Sequence, residues 1–192
     1  MDEQHQKSVS NDSTAIGFYN LGLAEVRKEN YQKAIDYFRQ ALDIDAEYAF
    51  AWDNLGLCYR KLENYDLAIQ AYQKSLAIDP NGLMPLQNIA VAYQYKKEYK
   101  KAIAAYEALA LVDKDNPEVY YGIGQVYALN LNDYEHGLEN MCKAYNIYIE
   151  QKSPYRSDVE KIIGFLFSEM KKQGKQALFY KILKTYHITP QE

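Results

Sequence analysis

A 34-residue period governs this chain. The segment NLGLCYRKLENYDLAIQAYQKSLAIDP, residues 54–80, has one counterpart a period upstream, NLGLAEVRKENYQKAIDYFRQALDIDA. A second lies a period downstream, NIAVAYQYKKEYKKAIAAYEALALVDK. Gly22, Gly56 and Ala90 fall in one column, Tyr31, Tyr65 and Tyr99 in another, and Ala34, Ala68 and Ala102 in a third. A fourth copy begins at Pro117 and keeps Tyr120, Ile123, Gly124 and Tyr127 in phase. One residue is inserted within 129–133, after which Tyr134, Gly137 and Ala144 take the later columns. The copies therefore read 15–48, 49–82, 83–116 and 117–151. A fixed period of this length means that each copy is one supersecondary unit, which buries its apolar face against its neighbours.

Each copy reads as two amphipathic helices. Trp52, Leu55, Gly56 and Tyr59 recur at i, i+3, i+4 and i+7, one face of a helix. Ala68, Tyr72 and Leu76 mark the face of a second, after the polar turn Leu62-Glu63-Asn64. Pro80 ends that helix, because proline has no N–H and disfavours helical geometry before it. Two antiparallel helices about 8–10 Å apart need small side chains where they cross. Gly22, Gly56, Ala90 and Gly124 are expected on one side of the crossing, and Ala34, Ala68, Ala102 and Gly137 on the other. Phe18, Trp52, Leu86 and Tyr120 are expected to fill the space beside them. Glu25 stands in the column of Tyr59, Tyr93 and Tyr127; a first copy has no upstream neighbour there, so it tolerates a charge.

The string Trp52-x2-Leu55-Gly56-x2-Tyr59…Ala68-x3-Tyr72…Pro80 resembles the tetratricopeptide repeat, and the resemblance covers residues 15–151. It implies an all-α fold, an α-solenoid of stacked antiparallel helix pairs wound as a right-handed superhelix of about ten helices. It also implies a concave side lined by the first helix of each pair. Outside the repeats, residues 1–12 are polar and expected to be disordered. Residues 153–190 read as a capping helix pair or a degenerate fifth repeat. There Ser153 and Pro154 are expected at N-cap and N1, Gly174 ends the first helix, and Ala177–His187 forms the second.

Several function classes are disfavoured. The 22 Lys+Arg against 26 Asp+Glu leave a net charge of −4, which argues against a nucleic-acid binder. The basic excess in 153–192 reads as a solvated cap. No apolar run approaches the roughly 18 residues that a membrane span needs. The start, MDEQHQKSVSND, carries no apolar leader. With two cysteines and no Cys-x-x-Cys pair, the cytoplasm is expected, the periplasm after processing being the alternative. His5, His136 and His187 join no Cys, Ser or carboxylate at a catalytic spacing, and no zinc, nucleophile-elbow or phosphate-loop motif occurs. No enzymatic activity, cofactor or metal is expected. Cys58 shares a column with Ala24, Ala92 and Val126, a small buried site.

A candidate binding face can be read from the first helices. Its columns are Ile16, Phe50, Met84, Glu118; then Tyr19, Asp53, Gln87, Tyr121; then Asn20, Asn54, Asn88 and Gly122. Beyond these come Leu23, Leu57, Val91, Gln125, and finally Val26, Arg60, Gln94, Ala128. From them the expected peptide-binding set is Tyr19, Asn20, Leu23, Phe50, Asn54, Leu57, Met84, Asn88, Val91, Tyr121 and Gln125. The apolar members form a stripe beyond that needed for packing, and such strips mark interaction surfaces. An asparagine amide both donates and accepts, so it can hold a peptide backbone of any sequence. The competing reading packs these residues on neighbouring repeats or under the chain's own termini. The family's carboxylate clamp, which grips chaperone C-termini with Lys and Arg beside Asn, is not expected: Tyr19, Leu23, Met84 and Asn88 stand in its places, and only Asn54 matches. The expected role is a non-catalytic adaptor, scaffold or co-chaperone-like module with a protein or peptide partner. The rivals are a self-associating homo-oligomeric element and a secretion chaperone.

Overall fold

The computed structural model describes residues 9–189. Ten α-helices account for most of them: Ser13–Arg27 (α1), Tyr31–Ile44 (α2), Ala49–Lys61 (α3), Tyr65–Ile78 (α4), Leu83–Tyr95 (α5), Tyr99–Val112 (α6), Pro117–Gln125 (α7), Tyr134–Glu150 (α8), Arg156–Lys172 (α9) and Gln176–Thr185 (α10). No strand occurs among the described residues. No helix there is long and apolar enough to cross a membrane. The all-α expectation holds, with two helices per repeat. Helices α1–α5 belong to one compact unit and α6–α10 to a second.

Of the segment expected to be disordered, residues 1–8 lie outside the described residues. Asp12 instead opens α1: its Oδ1 accepts from the N–H groups of Thr14 (2.7 Å) and Ala15 (3.0 Å), satisfying two donors that the helix cannot.

The first helices end alike. Glu29, Glu63 and Lys97, one period apart, have φ of 60°, 61° and 61°. The next N–H then reaches back five residues, from Asn30 to Glu25 O (3.0 Å), Asn64 to Tyr59 O (2.8 Å) and Glu98 to Tyr93 O (2.9 Å). This left-handed stop satisfies carbonyls that the helix end would orphan, and turns the chain into the second helix. In the fourth copy the inserted residue is absorbed by a π-helical turn, Val126–Asn130. Leu131 N–H bonds Val126 O (3.0 Å), Asn132 takes the positive φ, and Asp133 caps α8 through His136 N (3.2 Å).

The hairpin crossing corrects an expectation. Gly22 and Gly56 do not face small residues. A Cβ at Gly22 would lie 2.5 Å from Phe38 Cε1, and one at Gly56 would lie 2.6 Å from Tyr72 Cε1. Phe38 and Tyr72 are completely buried, so each glycine makes room for a ring of the second helix. In the fourth copy small does face small: a Cβ at Gly137 would lie 3.0 Å from that of Ala128. The expected fillers Phe18, Trp52, Leu86 and Tyr120 are half-buried. Trp52 also donates from Nε1 to Ala46 O (2.9 Å). Gly56→Val is therefore expected to overpack Tyr72 and lower stability by about 1–3 kcal/mol, read from the urea midpoint. An unchanged midpoint would contradict this packing.

Glu25 is buried rather than merely tolerated. Lys28 Nζ (2.9 Å) and Asn30 Nδ2 (2.9 Å) hydrogen-bond its carboxylate, and Lys33 Nζ lies 3.5 Å away. The bonds from Lys28 and then Asn30 hold its carboxyl down at about 2, so the charge staples the α1–α2 turn.

In the second unit, α8 contributes Leu138, Met141, Cys142 and Ala144 to a core completed by Val159, Leu166 and Met170 of α9 and Phe179, Ile182 and Leu183 of α10. The last two helices thus seal the fourth hairpin, and Asn146 Nδ2 donates to Tyr186 O (3.0 Å). Helix α9 starts at Arg156, later than expected from Ser153-Pro154, because Ser153 Oγ accepts from Tyr155 N–H (3.3 Å) in a preceding turn. Gly174, at φ 72°, ends α9 as expected. Cys58 and Cys142 are buried, and burial pushes both thiols up to about 12.

Candidate functional site

The candidate site is built on the first helices. In the first unit these are α1, α3 and α5. The expected residues keep solvent access there: Asn20 and Met84 are exposed, while Tyr19, Leu23, Phe50, Asn54, Leu57, Asn88 and Val91 are half-buried. An apolar side chain held half-exposed on a helix can still gain by being covered.

Asn54 bridges α1 and α3. Its Nδ2 donates to Phe50 O (2.8 Å) and to the Tyr19 hydroxyl (3.2 Å). Both amide hydrogens are thereby used within the protein, and the Oδ1 acceptor is what the amide retains for a ligand N–H. The Tyr19 ring is fixed against Tyr48 (centroids 4.8 Å) and Phe38 (5.8 Å). Burial, with the Asp53 charge, raises its hydroxyl above the usual tyrosine value.

Asp53 departs from its column. It is 3% exposed, where a groove-lining side chain was expected. It lies in a cleft of about 240 Å³ with Phe50 of α3, Ser75 and Asp79 at the end of α4, and Met84 and Pro85 of α5. Its Oδ1 has no hydrogen-bond partner. Burial pushes its carboxyl up to about 6; the Ser75 hydroxyl bond opposes this and the Asp79 charge adds to it.

The second unit carries a related notch 68 residues on. Glu118 and Tyr121 take the places of Phe50 and Asp53, and the one-residue insertion puts Tyr148 where Asp79 stands. With Tyr155 and Asp158 they line a cleft of about 320 Å³. The buried Tyr148 hydroxyl donates to Glu118 Oε1, and Asp158 pairs with Lys161 (2.7 Å). Tyr121 and Gln125 are both half-buried. Tyr148, Tyr155 and Asp158 were not read as site residues. They come from a second helix and from the segment beyond the repeats, so first-helix columns could not reveal them.

Two further column members leave the accessible face. Ala128 is buried against Gly137, and Gly122 is buried with Tyr106 above it. A Cβ at Gly122 would lie 2.2 Å from Tyr106 Cζ, which explains why the asparagine column stops in the fourth copy.

Tandem helical hairpins with a half-exposed face of apolar and amide side chains define an interaction scaffold of the repeat class. The chain belongs to the tetratricopeptide repeat family, whose models match residues 15–48, 49–81 and 88–137. Among solved structures, it is similar to MamA, residues 41 to the end, from Desulfovibrio magneticus RS-1: 18% identity, TM-score 0.73, 93% of this chain and 96% of that one. It is also similar to YrrB, a tetratricopeptide repeat protein with an unusual peptide-binding site: 26% identity, TM-score 0.62, 71% of this chain and 70% of that one. The Arabidopsis OM64 repeat domain matches at 17% identity and TM-score 0.58, over 62% of this chain and 99% of that domain. No curated protein matches the chain. A family and fold of this kind typically serve protein interaction rather than catalysis.

Proposed function

We propose that the chain is a non-catalytic adaptor that binds an extended peptide or a helix across the first-helix face. The observation that carries this reading is the half-exposed series Leu23, Leu57 and Val91 beside Asn54, whose Oδ1 remains as an acceptor. Apolar anchors in such a series supply affinity through burial, and the amide supplies a sequence-tolerant bond to the ligand backbone. The peptide-binding site named for YrrB agrees in kind. The two buried thiols fit a reducing compartment, and the cytoplasm is the location we favour.

The reading is tested by panning a displayed random-peptide library on the protein, then titrating a recovered peptide against variants. Leu57→Lys is expected to weaken binding by about tenfold or more, and Asn54→Ala by somewhat less. Unchanged affinity in both variants would remove this face as the site. Sedimentation of the free protein addresses the rival: a dimer lost in Leu57→Lys would mean that the face serves self-association instead.

A further inference from the structure

A carboxylate taken out of water and left with an open lone pair is expensive, and a fold rarely keeps one without use. Asp53 is such a group: it is 3% exposed, and its Oδ1 has no partner. It lies within a cleft rather than a sealed core. The walls at Phe50, Leu83, Met84 and Pro85 are apolar. The polar end holds a second carboxylate, Asp79, and no cationic side chain lines the cleft. At about 240 Å³ the space falls below the roughly 300–1,000 Å³ of small-molecule sites, and suits one long side chain of a larger ligand.

From this geometry we infer that the cleft is an anchor pocket for a lysine side chain of the bound peptide. The methylene stem would lie along Phe50 and Met84, and the ammonium would meet the Asp53 carboxylate at the cleft wall, with Asp79 beside it. Lysine fits better than arginine. At 3% exposure Asp53 offers a narrow opening that admits a compact point charge better than a planar fork. The inference deepens the proposed peptide reading and rests on it for the rest of the ligand. Phe50 and Met84 border the cleft and also belong to the first-helix face, so a peptide lying on that face would pass over the opening.

The test uses N-acetyl-lysine methylamide as probe, with N-acetyl-norleucine methylamide as its uncharged counterpart, titrated into the full chain and followed by amide NMR. The lysine probe is expected to shift Phe50, Ser75 and Met84, and the norleucine probe to bind about tenfold more weakly. Asp53→Asn should abolish the lysine shifts while its spectrum stays folded. Asp36→Asn, an exposed neutralisation on α2, should leave them unchanged and so separates the pocket from general attraction to an acidic protein. Equal binding of the two probes, shifts outside the cleft, or persistence of the shifts in Asp53→Asn would each overturn the assignment. The probe needs no other contact, so its failure sinks the pocket alone, whereas silence of Leu57→Lys and Asn54→Ala sinks the wider face.

Discussion

Replacing Phe38 by alanine is expected to cost about 3–5 kcal/mol, a large part of the stability of a domain this size. The ring is completely buried, sits over Gly22 and lies 5.8 Å from the Tyr19 ring. Gly22 offers no side chain that could swing into the space, so the cavity would stay open and its walls would lose their contacts. Phe18 belongs to the same hairpin but is half-buried, so Phe18→Ala should cost distinctly less. In a repeat array, stability is close to a sum of unit and neighbour terms. The loss should therefore concentrate in α1 and α2, with faster amide exchange there than in α8–α10. Urea denaturation of both variants checks the ranking. A Phe38→Ala loss no greater than that of Phe18→Ala would show that the glycine–ring crossing is not what holds the hairpin.

The period and the helical faces made the hairpins legible, because a repeat can bury its apolar stripe only against its neighbours. The one-residue insertion was visible as a phase slip, but not its remedy. A π-helical turn at Val126–Asn130 is a local choice between hydrogen-bond partners that no column records. The small-residue columns do not reveal the crossing, because the rings of Phe38 and Tyr72, from other columns, are what lie opposite Gly22 and Gly56. The column shows that a charge at Glu25 is tolerable, but its burial depends on Lys28, Asn30 and Lys33, which converge only once the turn is formed. Columns of the period report on one helix at a time. The half-buried position of Asn54 and Leu57 agrees with their register, but the depth of Asp53 is set by Ser75, Asp79 and Pro85 from outside its helix. The Tyr148–Glu118 notch, built partly from outside the columns, could not be found that way.

Asp53→Asn is expected to make the protein more stable at neutral pH, by up to about 3 kcal/mol, while removing lysine binding. The magnitude follows from a carboxyl pushed from 3.8 up to about 6, at about 1.4 kcal/mol per unit. The groups facing it are Tyr72 and Ser75 of α4, Asp79 just beyond that helix and Tyr19 of α1, and none of them is a cation. Between pH 3.8 and 6 the folded chain keeps a proton that the unfolded chain has released. Raising the pH through that window therefore favours unfolding, and above it the penalty is constant. Asparagine does not titrate, so the gain over the wild type should be small near pH 4 and reach its full value by pH 7. Glu25 has the opposite sign: its carboxyl lies at about 2, so its contribution is lost as pH falls below 4.5. It is present in both proteins and cancels in their difference. Urea denaturation of the two proteins from pH 4 to 7 gives that difference directly. A flat difference, or a variant less stable at pH 7, would mean that Asp53 is satisfied inside the fold. A rising difference with lost lysine binding is the pattern of a site that holds an unfavourable buried charge ready for a ligand, stability being given up where recognition requires it.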